Sequence, residues 1–112
     1  MRFEWDEKKN QRNFLKHRVG FETAVLAFDD PYALTLRDES SDEEERWITL
    51  GSVSPGAVFF VVHTCFERDG IEAMRIISAR GATPHERRSY EEAKQGAKTR
   101  YRRHFRNARR RH

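Results

Sequence analysis

The stretch Ile76-Ile77-Ser78-Ala79-Arg80-Gly81-Ala82-Thr83-Pro84-His85-Glu86-Arg87-Arg88-Ser89-Tyr90 decides the fold. It reads as the end of a β-strand, a two-residue break and the start of a helix. Thr83 is a good N-cap residue, Pro84 suits the first helical position, and Glu86 stands three residues after the cap. That pattern is a capping box, in which the cap hydroxyl and the Glu carboxylate each satisfy a backbone N–H left without a helical partner. Upstream, strict alternation places Met74, Ile76, Ser78 and Arg80 on one strand face. It places Ile71, Ala73, Arg75, Ile77 and Ala79 on the other. Arg80 therefore leaves the sheet where the chain enters a helix N-terminus, a natural site for an anion. If this chain handles phosphate, the sequence points to this junction.

Working outward, the chain opens with Met1 to Trp5, which alternate and suit a short edge strand. Asp6 is a suitable N-cap for a helix through about His17, with Gly20 expected at its left-handed C-cap. Asn10, Phe14 and His17 share one face of that helix, with Lys9 and Asn13 beside it. Phe21, Ala24, Val25 and Phe28 give a second short helix an apolar stripe, and Asp29-Asp30-Pro31 ends it. Four strands follow: Ala33–Arg37, Arg46–Gly51, Ala57–Phe66 and Ile71–Ala79. Arg68-Asp69-Gly70 is a hairpin signal between the last two. Short consecutive connections imply an antiparallel meander, and the doubly apolar third strand implies a central position under helices. The expected fold is α+β: two N-terminal helices, a four-stranded antiparallel sheet with room for an N-terminal edge strand, and a C-terminal helix from Thr83 past Tyr90.

At 112 residues, 37% apolar and 36% charged, the chain suggests one domain with a small core rich in its eight Phe and two Trp. The single cysteine, Cys65, excludes an internal disulfide and suits a reducing compartment; its apolar surroundings suggest a buried thiol. No signal peptide is visible, and the longest wholly apolar run, Ala57 to Val62, falls far short of the roughly 20 residues that cross a bilayer. A cytoplasmic location is the expectation. Residues 94–112 carry nine Lys or Arg and no acid, which leaves residues 1–93 at a formal −5. We therefore divide the chain into a folded body, 1–93, and a basic tail, 94–112. The tail could contact nucleic acid through Arg102 and Arg103, with Tyr101 and Phe105 stacking on bases, or remain an inert solvated terminus. His17, His63, His85, His104 and His112 lack metal-ligand spacing, and Gly-rich nucleotide loops and a Ser nucleophile elbow are absent. No metal or cofactor is expected.

Several blocks resemble a known family. They are Phe3-x-Trp5-Asp6 with Lys9 and Asn13, His17-x-Val19-x-Phe21, Phe28-x-Asp30-Pro31, Glu45-Arg46-Trp47-Ile48-x-Leu50-Gly51, and Ile77-Ser78-Ala79-Arg80-x-Ala82 with Glu86-Arg87-x-x-Tyr90. In order and spacing they resemble the BrnT toxins, small ribonucleases of type II toxin–antitoxin systems with a RelE-like fold. The resemblance covers about residues 1–92 and leaves the tail outside. It implies an RNA-cleaving toxin that arrests translation, neutralised by a BrnA-like antitoxin that binds operator DNA. The acidic loop around Ser40 to Glu44 is richer in carboxylates than the resemblance leads one to expect.

The chemistry restricts the candidates. Metal-independent RNA cleavage needs a base for the 2′-OH, cations on the phosphate and an acid for the departing 5′-oxygen. Arg80 and Arg46 are the phosphate clamps of choice, because a guanidinium fork matches phosphate oxygens; either could instead form a structural ion pair. Glu45 or His17 could act as base, although Glu45 could simply be solvated and His17 simply pack at a helix end. Tyr90 could orient substrate or serve as acid, or be half-buried with its hydroxyl bonded. Lys9, Arg87, Arg102 and Arg103 are candidate RNA contacts. The alternative reading is a non-catalytic module that binds an antitoxin and, through it, operator DNA.

Overall fold

The computed structural model describes residues 1–40 and 45–110, with side chains described as far as Ala97. The elements are β1 (Arg2–Glu4), α1 (Glu7–His17), α2 (Phe21–Ala24) continuing as a 3₁₀ segment (Val25–Asp29), β2 (Leu34–Arg37), β3 (Trp47–Ser54), β4 (Ala57–His63), β5 (Phe66–Arg68), β6 (Ile71–Gly81) and α3 (Pro84–Arg110). The α+β architecture matches the expectation. Strands run in the order β1-β6-β4-β3-β2, with β5 also paired to β6. The four expected strands form the antiparallel meander, and β1 adds a parallel edge, so the sheet is mixed.

Local chemistry explains most boundaries. The Asp6 carboxylate accepts from the N–H groups of Lys8 and Lys9 and starts α1. The left-handed C-cap is Arg18 (φ 59°), not Gly20, whose extended backbone instead leads into α2. Asp69 and Gly70 both take positive φ, the turn that suits the twist of a two-residue hairpin.

The expected third strand is broken. Val62 pairs with Ser78 but His63 pairs with Ile76, so Ile77 is an extra residue on β6. This bulge reverses the alternation: Ile76 and Ala79 now share one face, packed with Val61, where strict alternation would have parted them. It also ends β4 at His63. Thr64 and Cys65 become a link to β5, so Cys65 is exposed and not the buried thiol expected, with its Sγ 3.5 Å from Glu72.

Both sheet faces are covered, where the apolar β4 implied helices on at least one. On one, Val61, Ile76 and Ala79 pack under Val19, Phe21, Ala24 and Ala27. Gly51 is required there, because a Cβ would lie 2.3 Å from the Ala27 carbonyl oxygen. On the other, Leu50 and Val58 pack beneath Tyr90 of α3.

Helix α1 faces inward through two amides, Asn10 and Asn13, whereas Phe14 and Leu15 are exposed. Asn13 Nδ2 donates to the Val19 (2.9 Å) and Ala79 (2.7 Å) carbonyls, and its Oδ1 accepts from Ala79 N–H. The amide acts as a one-residue strand partner on the β6 edge beyond the reach of β1. Asn13→Ala should therefore destabilise the fold by about 2–4 kcal/mol, since buried polar groups left unpaired cost roughly 1–3 kcal/mol each; urea unfolding measures this.

His63 is 1% exposed, with Nε2 2.7 Å from Thr49 Oγ1. Burial holds its pKa below the ordinary 6.5. Below that value the unfolded chain binds a proton that the folded chain refuses, so stability should fall as pH drops from 6.5 towards the folded pKa. In His63→Gln this part of the pH slope should disappear from denaturation curves.

Candidate active site at the β6–α3 junction

Arg80 lies opposite Phe60 on the sheet face beneath α3, with its guanidinium carbon 3.9 Å from the Phe60 ring centroid. The aromatic face supports the cation and leaves the edge of the fork to make hydrogen bonds. Nη1 and Nη2 donate to Glu86 Oε1 and Oε2 at 2.7 and 3.0 Å, and Nη1 also reaches the Gly81 carbonyl. The capping box forms as expected: Thr83 N–H donates to Glu86 Oε1, and Glu86 N–H donates to Thr83 Oγ1. One carboxylate therefore both starts α3 and holds Arg80. The Arg80 bond is the main cause that lowers the Glu86 pKa, while the same bond raises that of Arg80. The two side chains keep 33% and 21% of their surface in solvent.

The helix N-terminus itself is a poorer anion site than the sequence suggested. Pro84 has no N–H, that of Glu86 is bonded to Thr83 Oγ1, and that of Arg87 to the Thr83 carbonyl. Among the described first-turn groups only the His85 N–H is left for an anion, so most of the capacity here lies in side chains.

The other candidates separate. Arg87 is exposed on the first turn of α3, next to Glu86. His17 is half-buried at the end of α1. That helix advances alongside β6, because Asp6, Glu7 and Lys9 share a cleft with Arg75, Ile76 and Ile77, and Asn13 meets Ala79. His17, one turn or roughly 6 Å past Asn13, is thereby carried towards the strand end that bears Arg80. Lys9 is exposed further back on that edge.

Arg46 and Glu45 do not join this group, and the two-arginine clamp is corrected accordingly. Arg80 aligns across the sheet with Phe60 and Leu50, whereas Arg46 precedes Trp47, aligned with His63 and Ile76. Four residues along the strand and two strands across separate the arginines by roughly 13 Å and 10 Å in the two directions. Glu45 lies at that far end, in a cleft with Glu4, Arg68 and Arg75.

Tyr90 is 1% exposed, not half-buried, and its hydroxyl donates to the Asp30 carboxylate. Burial and the Asp30 carboxylate push the phenol pKa well above its usual range. Burial opposes the charge on Asp30, but bonds from Tyr90, Ser52 N–H and Tyr32 N–H outweigh it and hold that carboxyl low. A phenol so placed ties α3 to the chain after α2. The side chains of Arg102 and Arg103 lie outside the described residues. Among the described residues, no group of three His, Cys, Asp or Glu is arranged to hold a metal.

Two residues of the junction were missed as site residues. The sequence marks Glu86 only as a cap, though its distance of six residues from Arg80 across a strand–helix turn is visible there. Phe60 carried no signal, since its register opposite Arg80 exists only in the folded sheet.

A family model described as the ribonuclease toxin BrnT of type II toxin–antitoxin systems matches residues 5–86. The matched span includes both Arg80 and Glu86. In structure the chain is similar to the ribonuclease toxin BrnT of Brucella abortus, with a TM-score of 0.54 and 25% identity over 74% of this chain and 97% of that one. Among curated proteins none matches.

Tyr90→Phe should cost about 1–2 kcal/mol in chemical denaturation, the loss of one bond to a charged partner. It should also raise the Asp30 pKa in a carboxyl NMR titration, because one of its three donors is gone.

Proposed function

The chain belongs to the BrnT family of ribonuclease toxins of type II toxin–antitoxin systems, and on that premise we propose that it is a metal-independent endoribonuclease whose phosphate clamp is Arg80. The observation that carries this reading is the Arg80 fork, closed on the two oxygens of Glu86 at a partly exposed edge. A carboxylate engaged in this way stands in for two phosphate oxygens. A phosphodiester that takes its place gains both bonds, and the guanidinium neutralises the charge that builds on the phosphorus oxygens during attack.

His17, which α1 carries to the same strand end on its Asn10 flank, is the base we assign to the 2′-OH. Attack by that oxygen forms the new P–O bond as the bond from phosphorus to the 5′-oxygen breaks, and the departing oxygen takes its proton from solvent water. Arg87 supports an adjacent phosphate. Glu45, Arg46 and Tyr90 have no part in this assignment. RNA cleavage would arrest translation, and a BrnA-like antitoxin that binds operator DNA would neutralise the chain.

A second reading has its own support. Arg80 is already neutralised by Glu86, which suits a non-catalytic module that binds an antitoxin. The two differ in one assay. Purified chain should cleave RNA in excess EDTA, and Arg80→Ala should slow it by about 10²–10³-fold, the usual loss when one transition-state donor is removed, with an unchanged circular-dichroism spectrum. Full activity in the variant would remove Arg80 from the mechanism, and an inert wild-type chain would favour the module.

A further inference from the structure

Helix α1 is held at two points that fix its roll. Asn10 accepts from Phe21 N–H and donates to Glu22, so that side faces α2. Asn13 bonds Ala79, so that side faces the outer edge of β6. At about 100° per residue, Lys9, Arg12 and Lys16 fall between roughly 40° and 100° past Asn13, on the flank opposite Asn10. The α2 side covers the sheet face with Val61 and Ala79. The cationic flank is therefore turned to the other face, the one that carries Phe60 and Arg80.

All three side chains are exposed. Among the described residues none of them is in an ion pair. The only acid within α1, Glu7, lies off this line and bonds Trp5 and Asn10. The N-cap carboxylate of Asp6, held low chiefly by the Lys9 and Lys8 N–H groups, feels the charges of Lys9 and Arg12 at the start of the line without pairing with them. The line begins where Lys9 shares a cleft with Arg75 and Ile77, and it advances with β6. The seven helical steps from Lys9 to Lys16 give it a length of roughly 10 Å. At roughly 3.4 Å per phosphate along a stacked strand, that matches about three phosphates.

We propose that Lys9, Arg12 and Lys16 form a track for the backbone of single-stranded RNA, which leads the chain along the β6 edge to Arg80. This rests on the ribonuclease reading and extends it: the substrate is a strand several nucleotides long, held by phosphate contacts on the side of α1 away from α2. Contacts of this kind carry no base preference, so any sequence selectivity belongs elsewhere.

The test is the salt dependence of binding, measured by fluorescence anisotropy on the full chain. The probe is a fluorescent 2′-O-methyl oligoribonucleotide, which cannot be cleaved by 2′-oxygen attack. In Lys9→Gln/Arg12→Gln/Lys16→Gln the slope of log affinity against log salt should be shallower by about 2, at about 0.7 per lost phosphate contact. Between 50 and 200 mM salt that removes roughly 20-fold of salt sensitivity. Each single variant should show about a third of the change, which keeps the test open if the triple variant folds poorly. Arg37→Gln, a cation on β2 at the far side of the sheet, should leave the slope where it is. A triple variant that folds and keeps the wild-type slope overturns the track and leaves the ribonuclease reading standing. A wild-type chain that neither binds the probe nor cleaves RNA overturns both.

Discussion

The side-chain amide of Asn13 is the contact on which the arrangement depends. Strand β6 pairs with β4 and β5 on one edge, but β1 covers only Ala73–Arg75 on the other. Downstream of β1 the open edge would present unpaired backbone groups beneath a helix, which is costly once water is excluded. Asn13 supplies both a donor and an acceptor to Ala79 and a further donor to Val19. Strand β1, the Asp6 cap and α1 thus line one edge in succession. Because Arg80 immediately follows Ala79, the same bonds that close the sheet also hold α1 beside the strand end that carries Arg80.

The second constraint is electrostatic. Arg80 and Glu86 form a two-point ion pair at the protein surface, on an aromatic shelf and within a capping box. Partly exposed pairs of this kind contribute only about 0–1 kcal/mol, because water solvates the separated charges nearly as well. The pair therefore orients the guanidinium in the resting state without closing it to a stronger anion. Glu86 also accepts from Thr83 N–H, so under the proposed exchange α3 would retain its start while Arg80 took a new partner.

Local signals were legible in the sequence and long-range ones were not. The capping box at Thr83–Glu86, the Asp6 cap, the Asp69-Gly70 turn and the Phe21–Phe28 stripe depend on neighbours within a few residues, and each formed. Ile77 is different. Nothing in its side chain marks it as the extra residue; the bulge arises from how β4 and β6 register, and it moved Ile76, broke the third strand and exposed Cys65. Asn10 and Asn13 read as ordinary polar helix positions because their partners lie in α2, in the segment after α1 and in β6. Arg80 could be found from its place before a helix cap. Arg46 could not be excluded by the same means, since only the strand lengths and register put it at the opposite end.

The claim that Arg80 exchanges Glu86 for a phosphate is tested most directly by the Glu86 carboxyl, followed by carbon NMR against pH in the free chain and with a bound non-cleavable RNA. In the free chain the Arg80 contact holds that pKa below its ordinary range. With RNA bound, the account predicts that it rises, since the guanidinium has left and a phosphate has arrived beside it. A Glu86 pKa that stays depressed in the RNA-bound chain would contradict the exchange and leave Arg80 a structural partner of α3.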